Sequence, residues 1–165
     1  MKLMSEGTKS VLFGAHSVIH SIVVMLAWKK LYGVWPSWKT CICILIHDIG
    51  YWGKNYITDK NNDGHAELGA KIAGKLFGPP YFYLVLGHSR AAIKKFPGLA
   101  LSRMEPPDDY SWVIAPLWWM YWNAWVENFE VAPREWKAAV TSNFYSKNKM
   151  SGTELFHKVK GKGPC

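Results

Sequence analysis

The sequence is poor in cysteine: Cys41, Cys43 and Cys165 are the only three among 165 residues. An odd count with no repeated spacing leaves no disulfide framework and points to a reducing compartment. Charge is sparse as well, at 19% against 49% hydrophobic residues, which excludes disorder of the whole chain. Residues 1–9 lack the apolar run and small-residue cleavage site of a secretory signal. The most apolar early stretch, residues 18–28, is interrupted by His20 and Ser21 and is too short to span a bilayer. Strand signals are missing: no sustained polar–apolar alternation and no Asn-Gly between β-branched runs. Internal repeats and inter-domain linkers are absent too. Together these absences predict one soluble, cytoplasmic, all-α domain, large enough to bury a core without staples.

What is present is helical periodicity, base and aromatic rings. Val11, Ile19, Ile22, Val23, Leu26 and Ala27 predict a first helix that stops at Gly33. Ser37 is the expected N-cap of a second, running to about Gly50. Its core, residues 41–46, is apolar all round, so it reads as the buried central helix. A polar loop spans 54–64. Further helices are expected over about 65–77, 80–95, 108–128 (kinked at Pro116) and 133–145. About six helices result, forming a domain over 1–145 with a basic tail over 146–165. Lys and Arg number 20 against 12 Asp and Glu, a net charge of +8, which suggests an anionic partner. Five of the 20 lie in the tail (Lys147, Lys149, Lys158, Lys160, Lys162), so a small phosphorylated molecule suffices and nucleic acid is not required. The ten Trp residues include Trp112, Trp118, Trp119, Trp122 and Trp125, expected mostly in the core, with one or two walling a pocket. Cys41 and Cys43 read as inert packing.

The informative residues are histidines. Five of the six (His16, His20, His47, His65 and His88) precede position 90, and His47 is followed at once by Asp48. Buried at the end of an apolar helix, a carboxylate is costly unless paired or bound to metal. An adjacent His-Asp pair offers one neutral nitrogen and two anionic oxygens, a set suited to manganese, iron, cobalt, nickel or zinc. His157, in the tail, reads as plain surface.

His20, His47-Asp48, His65, His88 and Asp108 follow the order of ligands in the HD superfamily of metal-dependent phosphohydrolases, which this sequence resembles. The segments His47-Asp48-Ile49-Gly50-Tyr51-Trp52-Gly53-Lys54 and His65-Ala66-Glu67-Leu68-Gly69-Ala70 carry the likeness over about residues 10–125. The resemblance implies an all-α HD bundle with two divalent transition-metal ions. His20, His47, Asp48 and Asp108 would hold one ion, and Asp48 would bridge to a second held by His65 and His88. Asp109 competes with Asp108 for the distal position, and alignment favours Asp108. Where the family often has Lys after the Gly, Tyr51 stands here, and Lys54 is the candidate for that work. Asp48, Lys54 and Arg90 are the candidate catalytic residues. Tyr51, Glu67 and His16 are candidates behind the ligands, with His16 open between a donor role and plain packing.

The implied chemistry is hydrolysis of a phosphoester or phosphoanhydride of a nucleotide-like small molecule by metal-activated hydroxide, with Lys54 and Arg90 neutralising developing charge. The alternative is the mixed-valent di-iron oxygenase found in the same superfamily, acting on inositol-like or organophosphonate substrates. A third reading is a non-catalytic nucleotide-binding module. No membrane partner is expected, and homo-oligomerisation is left open.

Overall fold

A computed structural model describes residues 4–57 and 64–148. The tail beyond 148, including His157 and Cys165, and loop residues 58–63 lie outside the described residues. Nine α-helices and no strand are found among those described, so the chain is all-α: α1 Glu6–Phe13, α2 Val18–Tyr32, α3 Trp38–Ile46, α4 His65–Phe77, α5 Pro79–Leu86, α6 Arg90–Lys95, α7 Glu105–Ile114, α8 Leu117–Glu127 and α9 Pro133–Asn148. A single 3₁₀ turn, Ile49–Tyr51, follows α3. No single helix among the described residues is long and apolar enough to cross a membrane.

α2 is the hub. Val24 and Trp28 join Cys43 and Ile44 of α3, the small α4 face Ala66, Ala70 and Ala73, and Val85 and Leu86 of α5 in the main core. Its Ala27 and Leu31 pack against Tyr110 of α7 and Phe144 of α9. Ile19, at its other end, leans on a third cluster made by Ala115, Trp119 and Met120. The alanines of α4 recur at four and three residues, the spacing that brings one helix face into contact along its length.

Several helices are shorter than their periodicity suggests. The expected first helix breaks at Gly14 into α1 and α2, with Ser17 as the α2 N-cap. The 80–95 segment breaks at Gly87–Ser89, where the Ser89 hydroxyl caps α6 by accepting from the Ala92 N–H. Pro116 splits the long aromatic segment rather than kinking it, because a proline N cannot donate to the preceding turn. Pro106 and Pro107 sit in the first turn of α7, where their missing N–H groups cost nothing.

Ser37 does cap α3, by accepting from the Thr40 N–H, but the helix ends at Ile46 and only Thr40, Cys43 and Ile44 are buried. The expectation of a helix buried all round is therefore corrected: Trp38 and Leu45 face outward. The aromatic expectation is corrected similarly. Trp119 is fully buried, whereas Trp118, Trp122 and Trp125 are exposed on the outer face of α8. Cys43 is buried and its thiol is pushed up to about 11 by desolvation, in keeping with packing rather than reactivity.

The 3₁₀ turn and the start of α4 meet at Gly50. A Cβ on that residue would stand 1.9 Å from the His65 carbonyl oxygen, a backbone atom that cannot swing aside. The close approach sets His47-Asp48 against His65. Gly50→Ala is expected to destabilise the fold by about 2 kcal/mol or more through forced backbone separation. Thermal unfolding measures this, and an unchanged Tm would contradict the seam.

Candidate metal centre

α2 supplies His20. The end of α3 supplies His47 as its C-cap residue, followed by Asp48. His65 is the first residue of α4, His88 lies in the break between α5 and α6, and Asp108 lies in the first turn of α7. The four histidines and Asp48 are buried, and His20, Asp48, His65, His88 and Asp108 line a cavity of about 220 Å³.

The Asp48 carboxylate is at the centre. Its Oδ2 lies 3.1 Å from His47 Nε2 and 3.7 Å from His20 Nε2. Its Oδ1 lies 3.6 Å from both His65 Nε2 and His88 Nε2. Asp108 Oδ1 is 2.9 Å from His20 Nε2 and 3.6 Å from His47 Nε2. His65 Nε2 and His88 Nε2 are 3.3 Å apart. Two donors about 2.1 Å from a common ion stand about 3.0 Å apart at a right angle and about 3.4 Å apart at the tetrahedral angle. The observed separations bracket those values.

Hydrogen bonds on the far side of the rings fix the tautomers. His47 Nδ1 donates to the Ile44 carbonyl and His88 Nδ1 to the Val85 carbonyl, each at 2.5 Å. The Ser111 hydroxyl gives its proton to the Asp108 carbonyl oxygen, so at 3.5 Å from His20 Nδ1 it can only accept from that ring. In all three histidines the Nε2 lone pair is thus turned toward the carboxylates. Lone pair facing lone pair is repulsive unless a cation or proton lies between. His47 Nε2 is the sharpest case, a buried nitrogen with no aligned hydrogen-bond partner among the described residues. The donor set fits a transition metal. His20, His47 and Asp108 come close enough to share one ion, as do His47, Asp48 and His88. His65 adds a ligand atom on the Asp48 Oδ1 side.

The electrostatics agree. Burial works against charge on His47, but the adjoining Asp48 and Asp108 carboxylates outweigh it and raise its pKa well above the ordinary value. Burial likewise opposes ionisation of Asp48 and Asp108, and the surrounding imidazoles overcome it, holding both carboxyls well below the usual range.

Several expected residues take other places. Asp109 pairs with Lys147 at 2.8 Å and reaches only the cavity wall, leaving Asp108 in the cluster. Lys54 is not among the residues that line the cavity; its ammonium lies over the Tyr56 ring. Glu67 is also not among the lining residues and is bound to Lys95 at 2.5 Å. Arg90 does line the cavity, but its guanidinium is engaged by Glu105. Tyr51 is buried, with its ring stacked 4.6 Å from His65 and tilted against His16 at 4.2 Å.

His16 is more than packing. Ser10 donates its only hydroxyl proton to Glu127 Oε1 at 2.5 Å, so at 2.6 Å from His16 Nδ1 it accepts from that ring. His16, which lines the cavity, is thereby held as the Nδ1–H tautomer. Desolvation pushes its pKa down to about 4, so the ring is neutral at pH 7. Gly14 makes this contact: a Cβ there would stand 2.2 Å from Glu127 Oε1. Neither Ser10 nor Glu127 was singled out by sequence. The readable trace was an acid at the end of an otherwise apolar aromatic helix. Trp112, stacked 4.9 Å from His20, forms one wall.

Comparison of the chain with protein-family models, with curated proteins and with solved structures finds no match.

Protein stripped with a chelator and reloaded with a divalent transition metal is expected to melt about 5–10 °C higher than the stripped form. Asp48→Asn should abolish most of that increment, since both halves of the site use its oxygens. Differential scanning calorimetry with elemental analysis checks both outcomes.

Proposed function

We propose that this chain is a two-metal hydrolase of small phosphate esters or anhydrides, of the HD type. The observation that carries the reading is the division of Asp48: one oxygen faces His20 and His47, the other faces His65 and His88. A carboxylate placed between two histidine sets is the arrangement that bridges a pair of ions. His20, His47, Asp48 and Asp108 would hold one ion, and Asp48, His65 and His88 the other. Bound there, divalent ions of iron, manganese, cobalt, nickel or zinc would acidify a water and polarise a phosphoryl oxygen.

The chain's own residues supply the rest. In hydrolysis the water oxygen bonds to phosphorus, the P–O bond to the leaving group breaks, and the water's proton ends on that leaving oxygen. His16, neutral and with Nδ1 tied to Ser10, keeps its other nitrogen available to move that proton. Arg90 is the cavity's guanidinium among the described residues, and a phosphate arriving there would compete with Glu105 for it. The burial that raises the Glu105 pKa lowers the cost of that exchange. Trp112 offers a ring face to an organic group. A cavity of about 220 Å³ takes a phosphate with a small substituent, so the base of a nucleotide would lie outside it.

One observation favours the di-iron oxygenase as the second reading. Imidazole and carboxylate ligands suit iron, and Arg90 is already paired, which leaves the cavity without a free cation among the described residues. A redox-inactive phosphate site would be expected to hold one. The third reading, a binding module without catalysis, is opposed by the convergence of six ligand residues. A cytoplasmic location and a phosphorylated small-molecule partner belong to this proposal.

The test is a panel of nucleotides, cyclic nucleotides, phosphomonoesters and phosphonates, assayed with each metal found in the purified protein while phosphate release and oxygen consumption are followed together. Phosphate release without oxygen uptake is expected, with a loss of about 100-fold or more in Asp48→Asn. Oxygen uptake coupled to phosphonate cleavage would transfer the assignment to the oxygenase. Arg90→Lys is expected to raise KM more than it lowers kcat, because a point charge replaces a fork.

A further inference from the structure

α8 is apolar along most of its length, yet positions 119, 123 and 127 carry Trp, Asn and Glu at four-residue spacing, hence on one face. Trp119 and Asn123 are both 0% exposed. Trp119 Nε1, Asn123 Nδ2, Asn123 Oδ1 and Glu127 Oε2 are all buried without a hydrogen-bond partner among the described residues. So is the hydroxyl of Ser17, which stands at the N-cap of α2 but makes no capping bond. Ser17 is two residues from Ala15, whose N–H donates to Glu127 Oε1 at 2.7 Å, so it belongs to the turn that packs on this face. Apart from His47 Nε2 in the metal centre, every buried side-chain polar atom without a partner among the described residues falls in this group.

Five unsatisfied atoms on two adjoining segments are not scattered defects. Buried polar groups are paired in nearly all native proteins, with protein or with ordered water. The chemistry of this group selects its occupant. Trp119 only donates, Glu127 as a carboxylate only accepts, and Asn123 and Ser17 do both. A cation would meet the indole and amide N–H groups, an anion would meet the carboxylate, and an apolar guest would satisfy nothing. Water satisfies all of them.

We propose that the seam between α8 and the turn joining α1 to α2 is a built-in water site, a short chain of ordered waters anchored on Asn123 that runs from Trp119 to Glu127. Water at Oε2 hydrates the Glu127 carboxylate, whose Oε1 holds Ser10 and, through it, the tautomer of His16. Asn123 is thus a positioning residue for His16. The inference does not depend on the reaction catalysed in the cavity.

The test uses the full chain, stripped of metal and then loaded with diamagnetic zinc. Water-selective rotating-frame NMR on the Asn123 side-chain amide and the Trp119 indole N–H should show transfer to long-lived water; its absence from both would overturn the site. Asn123→Leu, which fills the volume without polar atoms, separates the cases further. A hydrated site loses its anchor, so Tm should fall and the ¹⁵N shifts of His16 should move from the pure Nδ1–H tautomer toward a mixture. A raised Tm would show that the wild-type seam was dry. A lowered Tm with unchanged His16 shifts would refute the positioning role. Should Asn123→Leu fail to fold, Ser17→Ala, which removes one bridge, must weaken the water transfer at Asn123 or the proposal falls.

Discussion

The geometry of the centre turns on one carboxylate. Asp48 is buried, and burial of an anion is among the most expensive acts in folding. What offsets that cost is the ring of imidazoles around it, two on each oxygen, contributed by α2, the end of α3, α4 and the α5–α6 break. Elements distant in sequence are drawn together by a shared electrostatic demand. The helices supply apolar surface to fill the space between, but that surface alone does not dictate which ends must meet. The close seam at Gly50 and the short breaks at Gly87–Ser89 and Gly14–Ser17 serve the same demand, because each turns a helix end toward the centre.

The site is built in two layers with different rigidity. The inner layer of His20, His47 and His88 is fixed by hydrogen bonds to Ser111, to the Ile44 carbonyl and to the Val85 carbonyl. Those partners are local, within three residues for His47 and His88, so ring orientation survives small movements between helices. The outer layer is long-range: Glu127 reaches across from α8 to Ser10 of α1, and Arg90 to Glu105. That layer reports on how the helices sit against one another. A perturbation of helix packing would therefore reach His16 and Arg90 before it reached the ligands.

Much of this was legible in the sequence, for a physical reason. Helical period, the stop at Gly33 and the cap at Ser37 pointed to the all-α class, because local rules govern them. His47-Asp48 was readable from its own setting, a polar pair at the end of an apolar helix, whereas His20, His65, His88 and Asp108 joined it only through the resemblance to a family's order of ligands. Helix ends were less readable: Gly14 and the His88 break are set by tertiary contacts that override periodicity. The neighbours of Lys54 and Glu67 were not readable, because a charged side chain's reach does not say which partner takes it: Lys54 lies over Tyr56, and Glu67 pairs with Lys95. The link from Glu127 through Ser10 to His16 was not readable, since Glu127 and Ser10 lie more than a hundred residues apart and only the fold brings them together.

The rings beside His20 give the molecule an optical property. Trp112 lies face to face with the imidazole, and Trp119 lies near both rings, 5.2 Å from Trp112 and 6.2 Å from His20. Indole emission is sensitive to neighbouring charge and to electron-accepting partners, so a change in the electronic state of His20 is imposed directly on this pair of chromophores. The centre thus carries its own intrinsic dye, and occupancy can be followed by light without labelling the chain.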